Sequence, residues 1–521
     1  MIRSKVFQGA VLLGISSFLS RLLGVYRDHL FAIRFGATQG SGIYDLDAYF
    51  AAFRIPDFLY NLLIIGAVSS AFVPIFTGYI QKEQKEEGFA FANTVLNFFV
   101  SLMLILSVIL FIAAPFVMKI LTPGFSPEKL AVSVNATRIM LLSPIFFAFS
   151  SIAQSIQNTF KTFFSYALAP ILYNLSIIFA ALFLTDRFGI YGLGFGVTVG
   201  AFFHFFIQVP SLYSLGYRYR FLFNLKRKDL REMFRLVVPR IIGVSAMQLI
   251  FVFDTLIGST LAAGSISIFY LAFNLNSLPM GIVGISLAIS SFSTLSELAD
   301  KGREPFFADE LKRYIRWILF LIIPATFGIL FLRREVTQLI LGGGKFTLRD
   351  VFLTSQTLFI LGLSLVAQSL IPLFSRAFYA WKNTVIPLVI VMVTVFSHIS
   401  LSLFFTKVLF FGVKGIAFAY SISQILQIAL LFLFLKRFLP SFSIFPLKDG
   451  MKFLFSSFLM ILFVFIGRNF LVPLFPLSHN FYALFFELIF LIFLGFFGYA
   501  LGIFFTYRKR LNSLFQFTKK Q

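Results

Sequence analysis

The sequence predicts an all-α polytopic membrane protein with about 14 transmembrane helices: two parallel-repeat six-helix lobes plus two C-terminal helices. Three observations carry this. Of 521 residues, 59% are hydrophobic and only 12% charged, against about 25% charge in soluble chains, and the mean hydropathy is +0.92. Apolar runs of about 20 residues, the length that crosses a hydrocarbon core, recur from end to end. Landmark residues recur at a spacing of 221 to 223 residues. This composition excludes a soluble enzyme, a secreted disulfide scaffold and a disordered chain.

The first expected span, 6–35, starts basic at Arg3 and Lys5 and continues through Arg21 and Arg27 without a small-residue cleavage site. It reads as an uncleaved membrane helix rather than a signal peptide. The second span, 43–79, contains Pro56, and the eighth, 265–298, contains Pro279. Each proline removes a backbone donor and favours a kink, so both are candidate hinges. Spans three to seven fall at 90–121, 131–160, 163–185, 190–216 and 232–262. Spans nine to twelve fall at 310–332, 350–380, 383–406 and 411–436, followed by 448–471 and 480–506. Several exceed the crossing length, which implies tilt or projection beyond lipid.

Orientation follows from Lys and Arg. With the N-terminus inside, inner loops and tail carry 28 of the 44 basic residues, outer loops 11, and spans the other five. That bias places both termini in the cytoplasm. Trp317 and Trp381 then fall near the inner interface, and Lys226-Arg227-Lys228 reads as an anchor on anionic membrane lipid. The net charge of +23 is accordingly a topology signal and implies no nucleic acid. With no Cys, the chain has no disulfide, thiolate metal site or Cys nucleophile. The 77 Phe read as lipid-facing.

Phe125-Ser126 answers Phe346-Thr347 at an offset of 221, Gly192 answers Gly415 at 223, and Pro56 answers Pro279 at 223. An even number of spans per copy makes the repeat parallel, and transporters place substrate between such halves. The expected domains are an N-terminal lobe at 1–225, a C-terminal lobe at 226–440, and two extra spans with a basic tail at 441–521.

Ionisable groups in hydrocarbon cost at least about 2.5 kcal/mol and usually face a bundle interior or a wet cavity. The first two spans hold Arg21, Arg27, Asp28, Asp47, Arg54 and Asp57. Arg21, Gly24 and Asp28 share one helix face, and Gly24 admits close approach to it. Either these groups pair with one another or snorkel, or they line a cavity for an anionic ligand, since guanidinium grips phosphate bidentately. Asp254 in the seventh span needs a cation, a proton or an arginine, and His398 and Ser402 lie one turn apart in the eleventh. The four His show no metal spacing, and Gly342-Gly343-Gly344-Lys345-Phe346-Thr347 lacks the phosphate-loop register.

Several stretches resemble the MurJ/MviN lipid II flippases of the MOP transporter superfamily. They are Ser20-Arg21-Leu22-Leu23-Gly24-Val25-Tyr26-Arg27-Asp28, Phe35-Gly36-Ala37, Asp47 through Pro56, Gly66-Ala67, Ala71 through Ile75, Thr122-Pro123-Gly124-Phe125, Ala169-Pro170 with Asn174, Gly344 through Thr347, and Ala377-Phe378-Tyr379-Ala380. The resemblance implies fourteen spans that flip undecaprenyl-diphosphate-linked peptidoglycan precursor across the bacterial cytoplasmic membrane by alternating access. It makes the chain a transporter in peptidoglycan and cell wall biogenesis, not an enzyme. It further implies that Arg21 and Arg27 hold the headgroup, that Asp28 and Asp47 pair with or arrange those arginines, and that the last two helices form a lipid-tail groove. It implies no cofactor, with a possible sodium ion at Asp254 or proton coupling. Departures from the family are Tyr60 in place of an arginine, Ile65 in place of a glutamate, Phe273-Asn274 in place of an Asp-Arg pair, and His398 and Ser402 at a sodium-site pair. Expected site residues are therefore Arg21, Gly24, Arg27, Asp28, Asp47, Arg54 and Asn274 for substrate, and Asp254, His398 and Ser402 for a coupling ion. The alternatives are a flippase for another polyprenyl-linked oligosaccharide or a MOP-type exporter, and a non-transporting scaffold that recruits cell-wall synthesis proteins.

Overall fold

The computed structural model describes the backbone of residues 2–38, 42–63, 69–224, 226–442, 447–472 and 481–507. Gly66-Ala67, Ile65, His479 and the basic tail lie outside the described residues, as do the side chains of Arg3, Lys5, Ala71 and Arg240. Among the described residues the chain is helical, with one isolated β-bridge, Gly343 to Phe346. Among the described residues, ten helices are long and apolar enough to cross a membrane, eleven if a pair bent by 46° counts as one span. The expected count of fourteen is not reached by that measure.

The chain falls into two compact units, Met1–Tyr270 with Gly343–Asp350, and Leu271–Gly342 with Val351–Gln521. The first unit holds α1 (Ile2–Phe35), α2 (Leu46–Leu63), α3 (Ser69–Gln81), α4 (Lys85–Leu121), α5 (Pro127–Met140), α6 (Ser143–Thr159), α7 (Phe164–Phe183), the short α8 (Thr185–Phe188), α9 (Ile190–Phe206), α10 (Val209–Ser214), α11 (Lys228–Ser259) and the start of α12 (Ser265–Pro279). The second holds the rest of α12, α13 (Ser286–Asp300), α14 (Glu304–Leu341), α15 (Leu348–Gly362), α16 (Leu365–Ala380), α17 (Val385–Leu403), α18 (Val413–Phe438), α19 (Leu447–Ile466) and α20 (Phe481–Tyr507). The seventh span, α11, therefore packs within the first unit. The boundary expected at 225/226 concerns the duplication, on which packing alone is silent.

In the first unit α1 packs on α7, and α2 packs on α5, α6 and α11. The described residues of the expected second span form α2 and the start of α3, and α2 continues through Pro56. Pro279 ends α12 and is followed by a π-helical turn, Met280–Ile285. In the second unit a core of aliphatic and Phe side chains from α13, α14, α16 and α18 reaches Tyr499 and Tyr507 of α20. α14 outruns its expected limits on both sides and kinks at Leu332. Its outer turn carries buried Glu335, which pairs with Arg468 at 2.7 Å beside the π-helical turn that ends α19. At the other end of this hairpin Tyr507 donates to Asp449 Oδ1 (2.6 Å), and Arg316 reaches Asp449 Oδ2 (2.7 Å).

Loops in the first unit close on one another through carboxylates and glycines. Ser126 caps α5 and Pro127 starts it, a standard helix entry. Thr347 and Asp350 form a capping box on α15, Thr347 N donating to Asp350 (2.9 Å) and Asp350 N to Thr347 Oγ1 (3.3 Å). Asp350 also accepts from Thr38 N (2.9 Å) and Thr38 Oγ1 (2.5 Å). Lys345 N donates to Ile33 O (2.8 Å). A Cβ on Gly344 would overlap that Ile33 carbonyl, and one on Gly124 would overlap the carbonyl of Ser259. So the loop after α4 packs on the end of α11, and the loop after α14 packs on the end of α1.

Asp47 closes the same region. Buried at 2% exposure, it accepts from Gly264 N (2.7 Å), Ser267 N (2.8 Å) and Ser267 Oγ (2.5 Å), and so caps α12. Lys129 bridges it to Asp45, at 3.6 and 2.6 Å. Asp47→Ala leaves those amides unpaired, and the predicted loss is about 3 kcal/mol of stability. It is read as a lowered melting temperature of the detergent-solubilised protein. An unchanged melting temperature contradicts this role.

Candidate functional site

The charged face of α1 meets α7. Arg27 Nε and Nη2 donate to Asp28 Oδ1 at 3.1 and 2.9 Å, and Nη1 donates to Asn174 Oδ1 at 3.3 Å. Asn174 is held in turn, its Nδ2 donating to Ser20 Oγ (3.1 Å), Ser20 O (3.3 Å) and Pro170 O (3.1 Å). The Arg27 guanidinium also lies 5.7 Å from the centre of the Phe31 ring. One arginine is thus fixed in direction by the adjacent carboxylate on α1 and an amide on the neighbouring α7. A group positioned this way loses little entropy when it takes a ligand.

Arg21 lies on the face that carries Gly24 and Asp28, about 120° around the helix from Arg27. It is part-buried and makes no hydrogen bond or ion pair with a described residue. Gly24 lies between Arg21 and Arg27, and a Cβ there would approach nothing closer than Asn174 Oδ1 at 4.0 Å. The Arg27 side chain remains 23% exposed although protein surrounds it. An ionic group so placed lines a recess rather than a sealed core.

Arg54 is different. Its side chain is 7% exposed, pairs with Asp57 Oδ2 at 3.1 Å, and lies over the rings of Tyr270 (4.6 Å) and Phe251 (5.3 Å). Asn61 donates to Asp57 Oδ1 at 3.0 Å. Burial over two rings strengthens each cation–π contact. Asp254, itself buried, is within electrostatic reach of the Arg54 guanidinium. The guanidinium therefore competes with any cation for the Asp254 carboxylate. Among the described residues no cluster of three or more His, Asp and Glu has metal-ligating geometry.

The structure therefore gathers Arg21, Gly24, Arg27, Asp28, Arg54 and Asp254 in the first unit. Asp47 belongs to the same unit, but its carboxylate is committed to the cap of α12. Asn274 lies in the second unit on α12, where its carbonyl accepts from Ser277 Oγ (2.8 Å). His398 and Ser402 lie in the second unit on α17, both buried, with Ser402 Oγ 3.4 Å from His398 Nε2 and the His398 ring edge-on to Tyr420. Sequence reasoning gave Asn174 no role beyond a landmark and did not single out Asn61 or Tyr173. The signal for Asn174 was a lone amide in an apolar helix, one turn after Pro170.

Comparison with known proteins gives the family. A family model described as "Lipid II flippase MurJ" matches residues 35–493. A probable lipid II flippase MurJ of Thermotoga maritima is 32% identical over 434 residues, covering 82% of this chain and 84% of that protein. One from Buchnera aphidicola subsp. Schizaphis graminum is 30% identical over 431 residues, 82% of each. A solved structure of "Lipid II flippase MurJ, inward closed conformation" superposes with a TM-score of 0.79 at 28% identity, over 96% of this chain and 99% of that one. An inward-facing multidrug resistance MATE transporter of the MOP superfamily gives 0.68 at 16% identity over 81% and 95%, which shows the shared fold alone.

The two buried environments separate the arginines by stability. Arg54→Ala strands Asp57 and should cost about 3 kcal/mol, whereas Arg21→Ala should stay within about 0.5 kcal/mol of wild type. Melting curves of the two purified variants check this. Equal losses contradict it.

Proposed function

Because the chain belongs to the lipid II flippase MurJ family, we propose that it moves lipid II across the cytoplasmic membrane, with Arg21 and Arg27 gripping the diphosphate. The single observation that supports this most is the contrast between two arginines that flank Gly24 on α1. Arg27 is aimed by Asp28 and Asn174, while Arg21 beside it has no protein counter-charge among the described residues. A fixed guanidinium and an uncommitted one, separated by a glycine, suit a doubly anionic headgroup.

The chemistry required is transfer without bond breaking. Headgroup binding must be reversible, so two arginines suffice, and a stronger cationic trap would slow release. The apolar hairpin of α19 and α20 suits the polyprenyl tail, which stays in hydrocarbon while the polar head crosses. Alternating access has a natural flexing point in the π-helical turn after Pro279, where the regular hydrogen-bond ladder is already broken. Both termini lie in the cytoplasm on this reading, by the Lys and Arg bias. Cell-wall synthesis proteins that use the flipped precursor are the partners it implies. A proton or sodium gradient as the driving force is tested separately, by asking which gradient transport requires.

Arg21→Ala and Asp28→Ala should each abolish complementation of a flippase-depleted strain while the protein remains inserted at wild-type levels. Full growth with either variant contradicts the reading.

A further inference from the structure

The recess that holds Arg27 has a second set of groups that the diphosphate leaves unused. On α2, Tyr49, Phe53, Asp57 and Tyr60 fall at i, i+4, i+8 and i+11, one helix face. At 1.5 Å per residue that face runs about 16 Å, long enough to meet more than a phosphate pair. Tyr60 packs on Phe147 with ring centres 4.5 Å apart, and Phe147 packs edge-on to Tyr173 of α7 at 5.4 Å. Tyr49 stacks on Phe53 at 6.1 Å. Tyr173 lies within electrostatic range of Tyr49, Tyr60, Arg27 and Asp57, so the phenols and the arginine form one array.

The hydroxyls of Tyr49, Tyr60 and Tyr173 share an unusual condition. None makes a hydrogen bond with a described residue, and none is among the polar atoms sealed away from solvent without a partner. Buried phenols normally find a protein acceptor or donor. Three that do not, in one membrane-depth array beside an aimed arginine, present their hydroxyls to whatever enters the recess.

We propose that Tyr60 and Tyr173, with Asp57 and Arg27 in reach of the Tyr173 ring, are the glycan-contacting part of the headgroup site. This rests on the flippase reading and names which residues meet the sugars. Aromatic faces stack on the C–H faces of pyranose rings, and phenols donate to and accept from sugar hydroxyls and acetamido groups. A few placed polar groups in an aromatic wall give orientation and specificity. The alternative guest for an aromatic recess is an organic cation. Charge argues against it: Asp57 already pairs with Arg54 and Asp28 with Arg27, so each carboxylate of the array already faces a guanidinium.

The test compares two ligands on the purified full-length protein: lipid II, and undecaprenyl diphosphate, which lacks the glycan. Wild type should bind lipid II more tightly. Tyr60→Phe with Tyr173→Phe keeps the ring packing and removes only the hydroxyls. Lipid II affinity should fall about tenfold, toward that of undecaprenyl diphosphate, whose own affinity stays unchanged. An unchanged lipid II affinity in this double variant and in Tyr60→Ala overturns the assignment. An equal fall for both ligands, or saturable binding of tetraphenylphosphonium that disappears in the same variants, overturns it too. Wild-type protein that binds neither ligand would instead defeat the flippase reading beneath it.

Discussion

A charge in hydrocarbon must be answered, and the first unit is organised by how each one is answered. Arg54 is answered completely, by Asp57 and two aromatic faces, and is sealed. Arg27 is answered in part, by one carboxylate and one amide, and remains accessible. Arg21 is not answered by any described residue. The gradient from sealed to open along two helices separates a structural arginine from ligand-ready ones, and it does so without reference to any relative. Removing a partner from a buried pair is far costlier than removing an accessible charge. The two kinds of arginine are therefore distinguishable by stability alone.

The same rule shapes the loops. Asp47 and Asp350 are buried carboxylates committed to backbone amides. Asp47 satisfies amides at the start of α12, and Asp350 satisfies Thr347 N in the cap of its own helix and Thr38 N just beyond the end of α1. Their glycine neighbours admit backbone-to-backbone approach that no side chain would allow. The family landmarks Phe35-Gly36-Ala37, Thr122 to Phe125 and Gly344 to Thr347 are thus packing devices. They lock the ends of α1 and α11 to the loops that follow α4 and α14.

Much of this was legible in the sequence. Ionisable residues stand out in apolar helices, so Arg21, Arg27, Asp28, Arg54 and Asp254 could be named from the sequence, and the spacing placed Arg21 and Asp28 on one face with Gly24. The all-helical membrane class was legible because length and hydropathy define it. Less was legible where partners are neutral or remote. Asn174 is one amide among many polar residues, and its value depends on α7 packing against α1, a pairing across 147 residues. The tyrosines are hidden among 77 Phe and 18 Tyr, and only tertiary packing distinguishes an open hydroxyl from a lipid-facing ring. Asp47 could be read as a membrane-depth charge, but which group it serves is set by the loop at Gly264, 217 residues away. The limits of α14 were missed because Arg333 and Arg334 look like an interface, whereas the helix continues to bring Glu335 to Arg468.

The central claim is that the stretch of α1 bearing Arg21 and Arg27 borders water and receives a phosphorylated headgroup. The chain has no cysteine, and Gly24 has room for a side chain. Labelling a Gly24→Cys variant with membrane-impermeant maleimide, in oriented vesicles with and without lipid II, therefore tests the claim directly. The account predicts labelling at this position, and protection or a change of accessible side when lipid II is added. A thiol that never reacts from either side, or one that reacts identically with and without lipid II, would contradict it.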